Sequence, residues 1–179
     1  TTHKVYHIDG CEMEFLHPEF HEDGYYNIQQ NLPKTTERVK WEAGRKEKPL
    51  AIVGYGPSLK DSWPYLEKYS DIMTMSGAHD FVIGTGLVPT YHVDADPRPH
   101  KGTFTKTPHP ETQYLMASSS PVAAIDNLLP YKLKLWNLEA GGAFQYPPGE
   151  LTIPPRGSVS AACVQLAYML GYRQMSLFG

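Results

Sequence analysis

Between residues 50 and 179, short apolar segments alternate with helical segments and with turns rich in Gly, Pro, Ser and Asp. The predicted strands, in chain order, are LAIVG, DIMTMSG, PTYHVDAD, TQYLMASS, KLKLWNLE and RQMSLFG. Near-continuous apolar strands are typical of a parallel sheet whose two faces are both covered. Because parallel strands need crossover connections, the intervening helices have to pack on those faces.

The alternation therefore predicts an α/β fold, a Rossmann-like three-layer sandwich with a mostly parallel sheet and helices on both faces. The predicted helices are SLKDSWPYLEKY with Ser58 as N-cap, AHDFVIGTG, PVAAIDNLL and SVSAACVQLAYMLG. The last of these is apolar nearly throughout and is stopped by Gly171.

The first 48 residues differ from the rest, because they are rich in His, Glu, Tyr and Lys and show only weak helical character. We interpret 1–48 as an N-terminal arm or lead-in helix and 49–179 as one Rossmann-like domain. Four of the eight histidines lie in the arm, but their spacing matches no closed metal site, and a solvated surface is favoured. The chain starts without Met and ends on the apolar run MSLFG, which suggests a fragment truncated at its C-terminus.

The net charge, the cysteines and the apolar runs argue against several classes of protein. A net charge of −3 gives no electrostatic footprint for nucleic acid or an anionic membrane surface. Cys11 and Cys163 are too few for a disulfide framework or a CxxC zinc site, so a reduced, cytoplasmic setting is expected. No apolar run is long enough to predict a membrane span, and no signal-peptide core is present.

The first predicted strand leaves through a turn with two glycines and a proline. Its residues are Gly54, Tyr55, Gly56, Pro57 and Ser58. Glycine lets a ligand approach the backbone, and a helix that starts at Ser58 would favour an anion. The turn lacks the lysine of a P-loop and the third glycine of GxGxxG, so it predicts either a phosphate loop or a purely structural tight turn.

The third predicted strand leaves through HVDADPRPH, in which Asp94 and Asp96 project on the same side of an extended chain. Such a pair usually carries a cation or shares a proton, and hard oxygen ligands suit Mg²⁺ or Mn²⁺. Arg98 follows with a planar fork that suits phosphate. The alternative is an exposed loop in which Asp96 caps a turn; we favour a functional site.

Small polar residues follow the other strands. Ser76 and Gly77 leave room for a base or ribose, whereas His79 next to them suits either a ligand or an exposed helix start. Ser118, after the fourth strand, suits a helix cap better than a ligand. A long Gly/Pro-rich loop then leads to the start of the last helix, which is expected to flank a pocket. The residues delivered there are Arg156, Gly157 and Ser158.

The order of GYGPSL, DADP and RGSVSAACVQLAYMLGYRQMSLFG resembles the 6-hydroxymethylpterin diphosphokinase MptE-like family, which includes the Maf flagellin glycosyltransferases. The GxGPSL turn is also similar to the nucleotide loop of bacterial CMP-sialic acid sialyltransferases. The resemblance covers about residues 50–179. Members usually continue the last strand through Gly-x-Asp, and this sequence stops at Gly179.

The resemblance implies a domain that binds a nucleotide or a nucleotide-activated donor. It places the glycine turn and Gly157–Ser158 around the phosphates, and Asp94 and Asp96 beside the phosphates or a metal. Three functions stay open: a glycosyltransferase with an unknown acceptor, an ATP-dependent diphosphokinase acting on a pterin-like alcohol, and a non-catalytic binding or scaffold module. In the first, Arg98 or Arg156 would neutralise the leaving phosphate, and a carboxylate or His92 would accept the acceptor's proton.

Overall fold

A computed structural model describes residues 4–8, 11–15, 20–139, 144–154 and 158–179, with side chains from residue 23 onward. Two strands, β1 (Lys4–Ile8) and β2 (Cys11–Phe15), pair antiparallel and are separate from the main sheet. The strands of the main sheet are β3 (Leu50–Val53), β4 (Asp71–Met75), β5 (Tyr91–Asp94), β6 (Gln113–Ala117), β7 (Lys132–Leu138), β8 (Thr152–Ile153) and β9 (Met175–Phe178). The helices are α1 (Phe20–Asn31), α2 (Leu59–Ser62), α3 (Ala78–Gly84), α4 (Val122–Leu128) and α5 (Val159–Met169).

Within these residues the main sheet has seven strands in the order β8-β7-β6-β5-β4-β3-β9, and all of its pairings are parallel. The chain crosses the sheet strand by strand from β3 to β8 and then returns through α5 to place β9 beside β3. This confirms the predicted α/β class. The prediction omitted β8, because two residues are too short to give a hydrophobic pattern.

Alternate side chains of each strand enter two different layers of core, as the strand period of two requires. Leu50 and Ile52 pack with the buried face of α5, whereas Ala51 and Val53 pack with α2 and α3. A third buried cluster joins α4 to β6 and β7. Helices therefore cover both faces, which is the predicted three-layer arrangement.

The helix predicted after Ser58 is much shorter than expected. It consists of α2, only four residues long, followed by a 3₁₀ helix over Trp63–Lys68. Pro64 has no backbone N–H and cannot continue the α-helical bonding pattern. Ser58 is the N-cap position of α2, as predicted, but it has helical dihedral angles and its side chain makes no capping bond.

The segment between α1 and β3 runs against the sheet. Arg38 bridges Leu135 of β7, and Lys46 bridges Tyr172 just before β9. Val39 is buried in the same core as α5. Backbone pairing at Arg38 covers part of the edge of β7 that β8 leaves open, which protects an otherwise exposed strand edge.

Candidate functional site

The loops that leave β3, β4, β5 and β6 meet at one end of the sheet, which we call the carboxyl edge. Ligands of open parallel sheets bind at this end, because the loops and helix starts converge there. The structure brings the predicted loops into contact: the ring of Tyr55 packs over Gly77, and the Ser120 hydroxyl lies 3.4 Å from the Asp94 carbonyl oxygen. The backbone N–H of Ser76 also donates to Val93 on the neighbouring strand.

The glycine turn has a packing role that the sequence did not reveal. A Cβ atom on Gly56 would overlap the backbone of Gly179, which follows β9. Gly54 donates its backbone N–H to the Phe178 carbonyl oxygen at 2.8 Å. Close approach of two strand exits therefore explains why glycine is needed at position 56, and contact with a phosphate stays a prediction for this turn.

Asp94 lies at the end of β5 and is almost fully buried. Its Oδ1 accepts the backbone N–H of Ala95 at 2.7 Å and that of Asp96 at 3.2 Å. Burial raises the pKa of Asp94, although these two bonds and the charge of Lys101 act in the opposite direction. A carboxyl group with a raised pKa is a better proton acceptor than an exposed aspartate, because it is a stronger base.

Asp96 is held by the residue that follows it by two positions. The guanidinium Nε of Arg98 lies 2.9 and 3.1 Å from the two carboxylate oxygens, and the backbone N–H of Arg98 donates to Oδ1. Burial alone would raise the pKa of Asp96, but the bonds from Arg98 and the charges of Arg98 and Lys101 outweigh it and lower that pKa. Asp96 is thus ionised at neutral pH and already paired with a cation.

Lys101 completes this group, although no motif in the sequence pointed to it. It sits on a 3₁₀ turn over Pro99–Thr103, and its Nζ lies 3.4 Å from the Ser76 hydroxyl and 3.8 Å from Asp96 Oδ2. Ser76 has φ of +47°, a left-handed conformation that costs a non-glycine residue about 1–3 kcal/mol. We call Ser76, Asp94, Asp96, Arg98 and Lys101 the charged cluster.

A second polar group lies under α3, on the face of the sheet opposite α5. His79 Nδ1 lies 2.8 Å from Asp80 Oδ1, and its Nε2 lies 3.1 Å from the Tyr114 hydroxyl. The Tyr114 oxygen accepts the backbone N–H of His109 at 2.7 Å. A neutral His79 that carries its proton on Nδ1 satisfies every member of this chain of bonds.

His92, a predicted proton acceptor, belongs to the same group. It is fully buried, with Nδ1 3.1 Å from the Thr74 hydroxyl and Nε2 3.4 Å from the Thr105 hydroxyl. Its ring lies 4.9 Å from that of His79, centroid to centroid. We call Thr74, His79, Asp80, His92, Thr105 and Tyr114 the histidine cluster. The structure gives His92 a place in the core, and its catalytic role stays a prediction.

Burial is the main cause that lowers the pKa of both histidines, and the charge of His79 lowers that of His92 further. Both rings are therefore neutral at pH 7. The exposed position that we considered for His79 is wrong, because α3 begins at Ala78 and turns this side chain inward.

Helix α1 reaches the carboxyl edge through two asparagines that the sequence analysis missed. Asn27 donates to the carbonyl oxygens of Pro97 and Ser119, and Asn31 donates to those of Ser118 and Ser120 at 2.9 and 2.8 Å. All four bonds are buried. Asn27 and Asn31 are four residues apart, so they lie on one face of α1, and this spacing is a sequence signal for a polar contact between the helix and the domain.

The other predicted residues are Ser118, Arg156, Gly157 and Ser158. Ser118 is fully buried and does not cap a helix, because the N-cap position of α4 is Pro121; the predicted cap is wrong. Ser158 is the N-cap of α5, where its hydroxyl accepts the backbone N–H of Ala161. Arg156 and Gly157 lie outside the described residues.

The predicted metal pair does not match a protein-built cation site. Among the described residues, no group of three or more His, Cys, Asp or Glu side chains converges on a common point. Both oxygens of Asp96 are bonded to Arg98, and one oxygen of Asp94 accepts two backbone N–H groups. A divalent cation would have to displace Arg98, so these residues fit Mg²⁺ or Mn²⁺ poorly as they stand.

A cavity of about 410 Å³ opens at the opposite end of the sheet, beside the first residues of β5, β6 and β7. Its wall mixes acidic and basic side chains, among them Glu37, Glu111, Lys132 and Lys134. Mixed charge gives no field of one sign to attract an anion. We therefore place the candidate site at the carboxyl edge, where the topology of the sheet predicts it.

None of the helices in the described ranges combines the length and the apolar character needed to cross a bilayer. No curated protein matches the chain. Among solved structures, it is similar to a MAf glycosyltransferase from Magnetospirillum magneticum AMB-1, with a TM-score of 0.70 over 89% of this chain and 16% identity. The chain spans 27% of that protein's chain, and a likeness at this identity concerns the fold.

A family model described as 6-hydroxymethylpterin diphosphokinase MptE-like matches residues 23–179. The match begins within α1, so it includes the helix that donates Asn27 and Asn31 to the carboxyl edge. It confirms the resemblance that the glycine turn, the DADP segment and the last helix indicated. The chain belongs to the MptE-like family.

Proposed function

We propose that this chain contains the nucleotide site of a transferase that moves a sugar from a nucleotide-activated donor to an acceptor hydroxyl. Two comparisons support the proposal: the chain belongs to the MptE-like family, and its fold is similar to that of a protein named as a glycosyltransferase. One observation carries it: the exits of β4 and β5 place Ser76, Asp94, Asp96 and Arg98 together at the carboxyl edge.

In this proposal the charged cluster assists the cleavage of the bond between the sugar and the donor phosphate. The bond between the anomeric carbon and the donor phosphate breaks, and the phosphate oxygen keeps the electron pair. The acceptor oxygen bonds to the anomeric carbon and loses its proton to Asp94, whose raised pKa suits a general base. The cations of the charged cluster offer positive charge where the phosphate charge develops, which is the interaction that lowers the barrier.

The glycine turn and the small residues after β4 form the wall on which the nucleotide lies in this proposal. Tyr55 is 65% exposed, although its ring contacts Gly77 and Phe81, and in this proposal its exposed aromatic surface stacks with the base. Mg²⁺ or Mn²⁺ is not required in this proposal, because Asp96 is already paired with Arg98 and the cations of the cluster supply positive charge. A metal bound through the donor phosphates would show as metal-dependent affinity.

A second candidate is diphosphate transfer from ATP to a pterin-like alcohol, which the printed description of the family favours. The alcohol oxygen would attack the β-phosphorus and lose its proton to Asp94. The bond between that phosphorus and the oxygen that bridges it to the α-phosphorus would break, and AMP would leave with the electron pair of that bond. This reaction predicts strict Mg²⁺ dependence and a preference for adenine nucleotides.

The test is a binding screen with CMP, UDP, GDP, ADP and ATP and their sugar conjugates, each with and without Mg²⁺ or Mn²⁺. A ligand that binds the folded state raises the melting temperature. We expect a shift with CMP- or UDP-type ligands. Asp94→Asn removes a carboxylate beside the phosphates, so without metal it should not weaken binding, and Asp126→Asn, at an exposed aspartate of α4, is its matched control. A shift that depends on metal and is lost in Asp94→Asn would instead indicate that Asp94 holds a cation for the donor. A shift confined to ATP and ADP would favour the diphosphokinase, and no shift with any ligand would contradict both.

A further inference from the structure

We propose that Lys101 is the anion-binding residue of the carboxyl edge and that it holds the phosphate oxygens of the donor. Its identification as an anion site rests on its own surroundings, whereas the nucleotide as ligand rests on the proposed function.

The first argument is burial. Only 13% of the Lys101 side chain is exposed. An ammonium group loses most of its hydration at such a position, and the loss is unfavourable unless other groups replace the water. Its Nζ lies over the ring of Phe104, 4.3 Å from the centroid, which stabilises the cation only in part.

The second argument is that the polar groups around the Lys101 ammonium do not satisfy all of its hydrogen-bond donors. A lysine ammonium has three N–H donors. Among the described residues its polar contacts are the Ser76 hydroxyl at 3.4 Å and Asp96 Oδ2 at 3.8 Å, both longer than an ordinary charged hydrogen bond. Asp96 is meanwhile engaged by Arg98 through both carboxylate oxygens. Arg98 thus provides the charge balance of Asp96 and leaves the Lys101 ammonium available for a further anion.

The third argument is position. The 3₁₀ turn that carries Lys101 packs against α4, so the side chain projects from a supported element to the ends of β4 and β5. The left-handed backbone of Ser76 turns its hydroxyl toward Nζ. A phosphate that contacts Lys101 would therefore lie beside Asp94, the proposed base, and the loops after β4 and β5 would not need to move.

A purely structural ion pair between Lys101 and Asp96 is the alternative. It predicts that substitution changes stability but not affinity for anions. Lys106 offers a matched control, because it lies five residues further along the same connection, carries the same charge and is exposed.

The experiment is isothermal titration calorimetry of the whole chain with inorganic pyrophosphate, and with the best-binding nucleotide and its nucleoside. Lys101→Met keeps the apolar stem and removes the charge, Lys101→Arg keeps the charge, and Lys106→Met controls for net charge. We expect Lys101→Met to weaken pyrophosphate and nucleotide binding at least about tenfold, Lys101→Arg to restore part of it, and Lys106→Met to change it less than about twofold. Nucleoside affinity should stay unchanged, which a misfolded or loosened variant would not show.

The outcomes separate the two proposals. Pyrophosphate binding that depends on Lys101, without any nucleotide binding, would support the anion site and contradict the proposed function. Nucleotide binding that is equal in Lys101→Met and Lys106→Met would support the proposed function and overturn the role of Lys101. If neither pyrophosphate nor a nucleotide binds the wild-type chain, both proposals are wrong.

Discussion

Two polar clusters lie side by side on β5, and they differ in how completely their members are paired. In the histidine cluster, Asp80, His79, Tyr114 and the His109 backbone form a chain in which each donor has an acceptor. In the charged cluster, Lys101 has only two long polar contacts within the described part of the chain. Both clusters contain residues that sequence reasoning assigned to catalysis, yet only the second retains bonding capacity for a ligand.

The difference teaches that a titratable residue on a strand of an α/β sheet is not enough to mark a site. His92 and Asp94 are two residues apart and face the same side of β5. His92 is covered by α3 and by the segment around Thr105. Asp94, at the end of β5, meets the loops of the carboxyl edge. Buried polar groups that are fully bonded stabilise one packing arrangement, and groups with unmet bonds indicate function.

The largest expected effect comes from breaking the closed cluster. His79→Ala removes a buried ring and leaves Tyr114 and Asp80 without their shared partner, so we expect a loss of about 3 kcal/mol in the free energy of unfolding. Urea denaturation measures it. His100→Ala, at an exposed position, is the control and should change stability by less than about 0.5 kcal/mol. Equal effects of the two substitutions would show that the histidine cluster is not a stabilising unit.

The second prediction concerns pH and the same cluster. Burial lowers the pKa of His79 and His92 in the folded state, so below about pH 6.5 the unfolded chain takes up protons that the folded chain does not. Stability should therefore fall as the pH is lowered from 7.5 to 5.5. His92→Gln should flatten this profile of melting temperature against pH. A wild-type profile that is flat or rises on acidification would contradict the lowered pKa values.

The third prediction concerns Asp96 in the charged cluster and tests whether this cluster, unlike the histidine cluster, can bind an anion. Asp96→Asn removes the carboxylate that Arg98 and Lys101 share, and because Arg98 is more than half exposed the stability cost should be about 1 kcal/mol or less. Lys101 then has no competing carboxylate, so pyrophosphate measured without metal should bind about threefold tighter. Weaker binding of pyrophosphate by this variant would instead indicate that Asp96 holds a cation for the ligand.

The smallest expected effect is at Ser76. Glycine adopts a φ of +47° without strain, so Ser76→Gly should change the free energy of unfolding by less than about 0.5 kcal/mol, as the relieved strain offsets the added entropy of the unfolded chain. Ser62→Gly, at the end of α2, should cost about 1 kcal/mol under the same conditions. A similar loss at both positions would show that the backbone of Ser76 is not strained.

Sequence reasoning worked where the signal was local. The apolar strands and the last helix follow from runs of side chains, and Ser158 was correctly placed at the start of α5, where its hydroxyl caps the helix. It could not show what a distant segment adds. Contact of Gly56 with a phosphate stays a prediction, but in the structure its missing Cβ also makes room for Gly179, 123 positions later in the chain.

The sequence by itself determined the α/β class, the family and the end of the sheet at which a ligand is expected, because these depend on periodicity, strand order and short motifs. Only the tertiary structure decided which polar residues have their hydrogen bonds satisfied within the protein and which can still bond a ligand. It buried His92 beneath α3, brought Asn27 and Asn31 to the loops after β5 and β6, and placed Lys101 beside Ser76. These contacts join segments far apart in the chain, and the spacing of residues along one segment does not show which distant segment it meets.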